Sequence, residues 1–419
     1  MSSVLYVTSV PPWPLSRNGG GQRTRLLQEA MIAIGHDVHT LVILPVGGGA
    51  PPDPEHAAAF GVHEVVSASP DVVPVVRSVI RPLGTLKAVA TRFAARYSAE
   101  AACVDAVRRV AREVRPDIVV VRYAWTLGRC GDALFDKAER TLLDFDDVDW
   151  LTLASEHGAQ PWPGIVGRLG MAVARRTVRK TLLPQVRRCD GVWVTSQTDA
   201  DALAGEGITT THLPNVPADP DDPQRLPDAL PPSADGASTV LFVGDLRHGP
   251  NAHGLDRFLR AIWPLIHSAN SNAVFRIVGK GLSDELCSLC DQTPGVEVAG
   301  FVEDLRDAYA QAAVVAVPCW WGGGTKIKVA EAAAMGRAQV ATPLAMRGFD
   351  VLAGTDRPAA LVADDDAGFS SAVLSLLTDA TRRHAIESAG PMLIRDHLSF
   401  ATVRDAVGQL LPGRLPADR

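Results

Sequence analysis

Trp321-Gly322-Gly323-Gly324-Thr325-Lys326-Ile327-Lys328-Val329-Ala330-Glu331-Ala332-Ala333-Ala334-Met335-Gly336 is the stretch that decides the fold. Just before it, Ala312–Pro318 (Ala-Ala-Val-Val-Ala-Val-Pro) is a short β-branched apolar run, the pattern of a buried parallel strand. Three glycines then allow a tight backbone turn, and good helix formers predict a helix from Thr325 to about Gly336. Strand, glycine turn and helix start together make an anion site. Unpaired backbone N–H groups and the positive end of the helix dipole face whatever lies over the turn. Lys326 and Lys328 add charge, although two residues apart they cannot both face one point squarely. Glu331 falls three residues after Lys328, on a neighbouring face. A phosphate over the turn and a ribose on Glu331 would suit a nucleotide. A plain strand-to-helix turn with a Lys328–Glu331 surface pair is the simpler alternative.

On both sides of this element the pattern strand, turn, helix repeats. The first half offers strands at Val4–Ser9, Asp37–Leu44, Asp117–Arg122, Thr141–Phe145, Gly191–Thr195 and Thr210–Leu213. The second offers Thr239–Val243, Val274–Val278, Val296–Ala299, Val314–Val317, Ala338–Ala341 and Ala360–Val362. Such alternation predicts an α/β protein with two doubly wound parallel sheets, whose ligands would bind at the carboxyl ends of strands in a cleft between them. Pro217–Pro232 holds six prolines and four aspartates in sixteen residues, and reads as a linker without a packed element. The expected organisation is a first Rossmann-like domain over 1–216, a linker over 217–235, and a nucleotide-binding Rossmann-like domain over 236–396. A final amphipathic helix falls within 397–419, with the option of crossing back to the first domain.

Composition agrees with this. A chain of 419 residues is long for one core, and 47% hydrophobic residues supply material for two. A net charge of −6 argues against a nucleic-acid partner. No apolar run has the length of a membrane span, and Met1-Ser2-Ser3 leads straight into strand-like Val4–Thr8 without a signal-peptide pattern, so a cytoplasmic location is expected. Cys103, Cys130, Cys189, Cys287, Cys290 and Cys319 are scattered as reduced thiols would be, and Cys287-x-x-Cys290 has no second ligand pair close by for zinc. Between Val72 and Ala99 there is no acidic residue, whereas Arg77, Arg81, Lys87, Arg92 and Arg96 are basic. A helix there could touch the inner face of a membrane as a peripheral contact, or simply present a solvated face.

With these elements placed, the chain resembles the family 4 glycosyltransferases of GT-B fold along nearly its whole length. The resemblance rests on Gly19-Gly20-Gly21-Gln22-Arg23, Gly35-His36-Asp37-Val38, Asp190–Ser196 and His212-Leu213-Pro214-Asn215 in the first half. In the second half it rests on Phe242-Val243-Gly244, Pro250-Asn251, Ile277–Gly281, Gly300–Asp304, the 322–331 element and Arg347-Gly348-Phe349, in family order. It implies a hexosyl-type transferase that moves a sugar from a nucleotide-diphosphate sugar to an acceptor hydroxyl on a glycan, a lipid-linked sugar or a small molecule. It further implies retention of configuration, no metal and no cofactor besides the donor, as in polysaccharide biosynthesis.

By this resemblance the donor site would comprise Gly244, Arg247, Lys280, Gly323, Gly324, Thr325, Lys326, Lys328 and Glu331, and the acceptor or phosphate loop Gly20, Gly21 and Arg23. Where many members carry a histidine after a middle strand of the first domain, this chain has Asp146 or Asp147, which are taken as catalytic. Gly323 stands where many members have a first glutamate, and Asp245–Pro250 lacks their Arg–Lys pair. A non-catalytic partner of another transferase therefore stays open. So does a nucleotide-sugar epimerase, for which Glu303, Asp304 and Asp350 are the only candidates near the sugar. The Asp-x-Asp spacings within Asp144–Asp149 could hold a metal, but they are far in sequence from the nucleotide element, and a polar acceptor wall fits them better.

Overall fold

The computed structural model describes residues 2–12, 19–45, 61–68, 82–136, 138–159, 164–219, 222, 224–302, 304–354 and 356–411. Arg77, Arg81 and Glu303 lie outside them. The chain forms two units, each described by itself: 1–214, 220–224 and 400–419 in the first, 215–219 and 225–399 in the second.

The first unit is built on a seven-stranded sheet. Its strands are β1 (Ser3–Thr8), β2 (Asp37–Pro45), β3 (Val62–Ala68), β4 (Ile118–Arg122), β5 (Arg140–Asp144), β6 (Gly191–Val194) and β7 (Thr211–His212). They lie in the order β3-β2-β1-β4-β5-β6-β7, all parallel. β1 and β4 are apolar on both faces because helices cover both sides. β3 is the one strand missing from the sequence reading. It is an edge strand carrying exposed His63 and Ser67, so it lacks the continuous apolar run of its neighbours.

The second unit repeats the plan in six strands: β8 (Thr239–Val243), β9 (Val274–Val278), β10 (Val296–Gly300), β11 (Val314–Val317), β12 (Gln339–Ala341) and β13 (Leu361–Val362). The order is β10-β9-β8-β11-β12-β13, again parallel. Its core gathers Phe258, Trp263, Phe275 and Phe369 around β8 and β9. In both sheets the strand order reverses beside the first strand, between β1 and β4 and between β8 and β11. The loops leaving those strand ends are where a doubly wound sheet receives a ligand.

One expectation about connections needs correction. Among its described residues the segment after Pro217 has no helix or strand, yet its second part is packed. Arg383 donates to Ser233 Oγ (2.8 Å) and to the Ala234 and Asp235 carbonyls, and buried Glu387 accepts from Ser233 Oγ (2.6 Å) and N (3.1 Å). Leu230 N bonds the Met335 carbonyl at 3.1 Å. Residues 225–235 thus belong to the second unit, through partners some 150 positions away that composition cannot reveal. The last helix, Phe400–Leu410, lies in the first unit, where Arg140 donates to the Leu410 carbonyl (3.0 Å) and His36 Nε2 meets the Leu411 carbonyl (3.3 Å).

Candidate functional site

In the second unit, β11 runs into Pro318, the glycine turn and the helix Ile327–Ala334. The helix starts two residues later than expected, with Lys326 as its N-cap, so Gly324 and Thr325 lie in the turn ahead of it. Gly322 and Gly324 have φ of +122° and +58°, values at which a side chain would be strained. A Cβ at Gly322 would also sit 3.0 Å from the Pro250 ring and 3.4 Å from Lys326 Nζ. Thr325 is held from the side, its Oγ1 accepting from Asn215 Nδ2 at 2.7 Å.

The two lysines take different jobs. Lys326 is buried and folds back over the turn, donating to the Gly323 carbonyl at 2.5 Å. Lys328 reaches across to the end of β8, where its Nζ donates to Asn251 Oδ1 at 2.9 Å and lies 4.9 Å from the Phe242 ring centroid. A Cβ on Gly244 would stand 3.0 Å from Lys328 Nζ, so glycine there keeps the ammonium's approach open. Burial, reinforced by the charge of Lys326, pushes the Lys328 ammonium down to about 8. Both ammonium groups are hydrogen-bonded to neutral oxygen atoms. Positive charge held this way, at the switch point of a parallel sheet, is suited to an anion.

Glu331 is half-buried one turn further along, near enough for its charge to favour the Lys328 ammonium and to oppose ionisation of Tyr309. Arg247 and Lys280 flank Asp245 instead. Arg247 is exposed and grips Asp245 through Nε (2.9 Å), and that ion pair, with help from Lys280, holds the Asp245 carboxyl below its usual range. The Arg247 charge is therefore answered within its own loop, while Lys280 is exposed with its ammonium 5.3 Å from the Phe301 ring. Gly279 brings two loops together: a Cβ there would lie 1.9 Å from the Gly244 carbonyl oxygen. Gly279→Ala is expected to displace the Gly244 loop and to lower stability by about 1–3 kcal/mol, read from the denaturation midpoint of the second unit.

In the first unit the structure revises the glycine loop. Gly19, Gly20 and Gly21 are the first turn of the helix Gly19–Ala33, not an irregular loop. Arg23, in that helix, points into the core. It grips Asp144 with Nε (3.0 Å) and Nη2 (2.6 Å) and donates through Nη1 to the carbonyls of Leu213 (3.1 Å) and Pro214 (3.2 Å). At 1% exposure it ties the helix to the ends of β5 and β7 and cannot serve as a surface phosphate ligand. Arg122, at the end of β4, continues the chain of charges, 3.5 Å from Asp144 and 2.8 Å from Asp146 Oδ2. Tyr123 adopts φ +71°, a strained conformation that places its hydroxyl 3.2 Å from the same Asp146 oxygen. Burial pushes the Tyr123 hydroxyl up and keeps it a proton donor.

Asp146 is thus a buried carboxylate held by Arg122 and Tyr123, while Asp147 beside it is half-buried. Sequence reasoning missed Arg122 and Tyr123, which read as the end of one more apolar strand. Asp144 and Asp146 face guanidinium groups. Among the described residues no three His, Cys, Asp or Glu side chains are grouped to hold a metal.

Two Rossmann-like units with lysines at the second unit's switch point define a GT-B-type α/β protein. Residues 237–379 match the family described as glycosyl transferases group 1. No curated protein sequence matches the chain. Among solved structures, sucrose-phosphate synthase from Thermosynechococcus elongatus is similar with TM-score 0.67 and 15% identity over 98% of each chain. HepE of Anabaena, solved with UDP and glucose, gives TM-score 0.65 and 15% identity over 98% of this chain and 100% of that one. A TarM structure gives 0.57 and 12% identity, covering 74% of this chain; the chain spans 57% of that one.

Proposed function

We propose that this protein transfers a sugar from a nucleotide-diphosphate sugar to an acceptor hydroxyl, with retention of configuration and without a metal. The observation that carries the reading is the placement of Lys326 and Lys328 around the glycine turn and Gly244, each held by a neutral oxygen atom. A diphosphate leaving group develops negative charge as the glycosidic bond to it breaks. Fixed ammonium groups and turn N–H groups stabilise that charge without reorganising. The solved structure of HepE with UDP and glucose supports the class of donor. Asp147, and Asp146 through its hold on Arg122 and Tyr123, would orient the acceptor at the end of β5. The leaving phosphate oxygen would take the acceptor proton.

Glu331 is assigned to the ribose hydroxyls. Glu331→Ala is expected to weaken nucleoside diphosphate binding by about 1.5–3 kcal/mol with the fold intact. Unchanged affinity in a calorimetric titration would return Glu331 to a surface role.

A second reading, a non-catalytic partner of another transferase, is favoured by Gly323 at the place of a first glutamate. Assaying the protein alone and mixed with a second transferase separates the two. Sugar transfer by the protein alone supports the enzyme, and turnover in the mixture only would overturn it.

A further inference from the structure

We propose that the helix pair 82–96 and 164–186 of the first unit docks on an anionic lipid bilayer, with Ile165 and Leu169 entering its surface. This surface is separate from the lysine turn and does not depend on the function assigned to it.

The two helices, Pro82–Arg96 and Gly164–Val186, pack against one another and share an unusual composition. Together they carry eight basic residues, Lys87, Arg92, Arg96, Arg168, Arg175, Arg176, Arg179 and Lys180, and no acidic one, in a chain whose net charge is −6. Val89, Phe93, Met171, Ala174 and Val178 face inward, leaving Lys87, Arg92, Arg168, Arg175, Arg176 and Lys180 exposed.

Apolar residues stand among them. Ile165, Val166 and Leu169 are 73%, 39% and 50% exposed, three of the nine large apolar side chains exposed among the described residues, within two turns of one helix. Ile165, Leu169, Ala172, Arg176 and Lys180 follow at helical spacing, so the apolar patch and the charges share one face.

The acidic groups of the neighbouring elements are engaged or turned in. Glu206 takes Arg179, Asp149 accepts from the Tyr97 hydroxyl at 2.6 Å, and the burial of Glu156 raises its pKa. A protruding apolar patch beside exposed Lys87, Arg92, Arg168, Arg175, Arg176 and Lys180 fits a surface that offers anionic heads over hydrocarbon. A folded acidic partner or a nucleic acid would leave Ile165 and Leu169 without a match.

The test is co-sedimentation of the full chain with vesicles of phosphatidylcholine alone or with one third phosphatidylglycerol. The protein should pellet with the anionic vesicles only, and binding should fall at least about tenfold when salt is raised from low to several hundred millimolar. Ile165→Glu/Leu169→Glu should lose binding at least about tenfold, whereas Met392→Glu, at a side chain of the second unit as exposed as Leu169, should not. Lys87→Ala/Arg175→Ala/Arg176→Ala, which leaves the apolar patch intact, should lose it as well and guards against misfolding of the first variant. Absence of binding to anionic vesicles would overturn the proposal. So would equal binding by these variants, or retention on a soluble polyanion that does not depend on Ile165 and Leu169.

Discussion

Asp144→Ala is expected to destabilise the first unit by about 3–5 kcal/mol, the cost of leaving buried guanidinium groups without their carboxylate. Arg23 and Arg122 both face Asp144, and all three side chains are fully buried or nearly so. Burial disfavours the Arg23 charge, and Asp144 more than restores it, holding the guanidinium above its ordinary pKa. Removing the aspartate takes away the carboxylate that the two guanidinium groups share. Chemical denaturation of the variant and of Arg23→Met should show losses whose sum exceeds that of the double variant, because both remove the same pair. A variant as stable as the wild type would mean that the quartet does not order the ends of β4 and β5.

Lys328→Met carries the second large effect, now on binding. Losing a charged hydrogen bond to a phosphate should cost about 1.5–3 kcal/mol, or ten- to over a hundredfold in dissociation constant. The same group predicts a pH dependence with a definite sign. Its pKa is lowered to about 8, so it is charged at pH 7 and largely neutral at pH 9. The diphosphate binds the charged form, and affinity should therefore fall as pH rises through 8. Titrations at pH 7 and 9 should show that fall in the wild type and little of it in Lys328→Met. A flat wild-type profile would remove Lys328 from the phosphate site.

How far the residues alone disclosed this arrangement depends on whether their partners were close in sequence. The parallel strands were legible because burial on both faces demands short β-branched runs such as Val314–Val317 and Ile118–Arg122. The lysine turn was legible because its parts are consecutive, although the start of the helix was not. Thr325 has good reason to begin a helix but is taken by Asn215, which is 110 positions away in the sequence. The glycines at 19–21 suggested a loop that brings its backbone close to a ligand, yet they form the first turn of the helix that carries buried Arg23. Arg23 itself was misplaced because Asp144, its partner, is 121 positions distant. The linker composition likewise concealed the strap that Arg383 and Glu387 impose on Ser233.

The central claim is that the turn around Gly322–Lys328 receives a nucleoside diphosphate through protein charge alone. The direct measurement is calorimetric titration of the full chain with UDP, GDP, ADP, CDP and dTDP, with EDTA and again with magnesium. At least one nucleotide should bind with a dissociation constant of about 1 mM or tighter, the range in which enzymes generally hold their substrates. The affinity should be the same in both buffers. No binding by any of the five, or binding only with magnesium, would contradict the account.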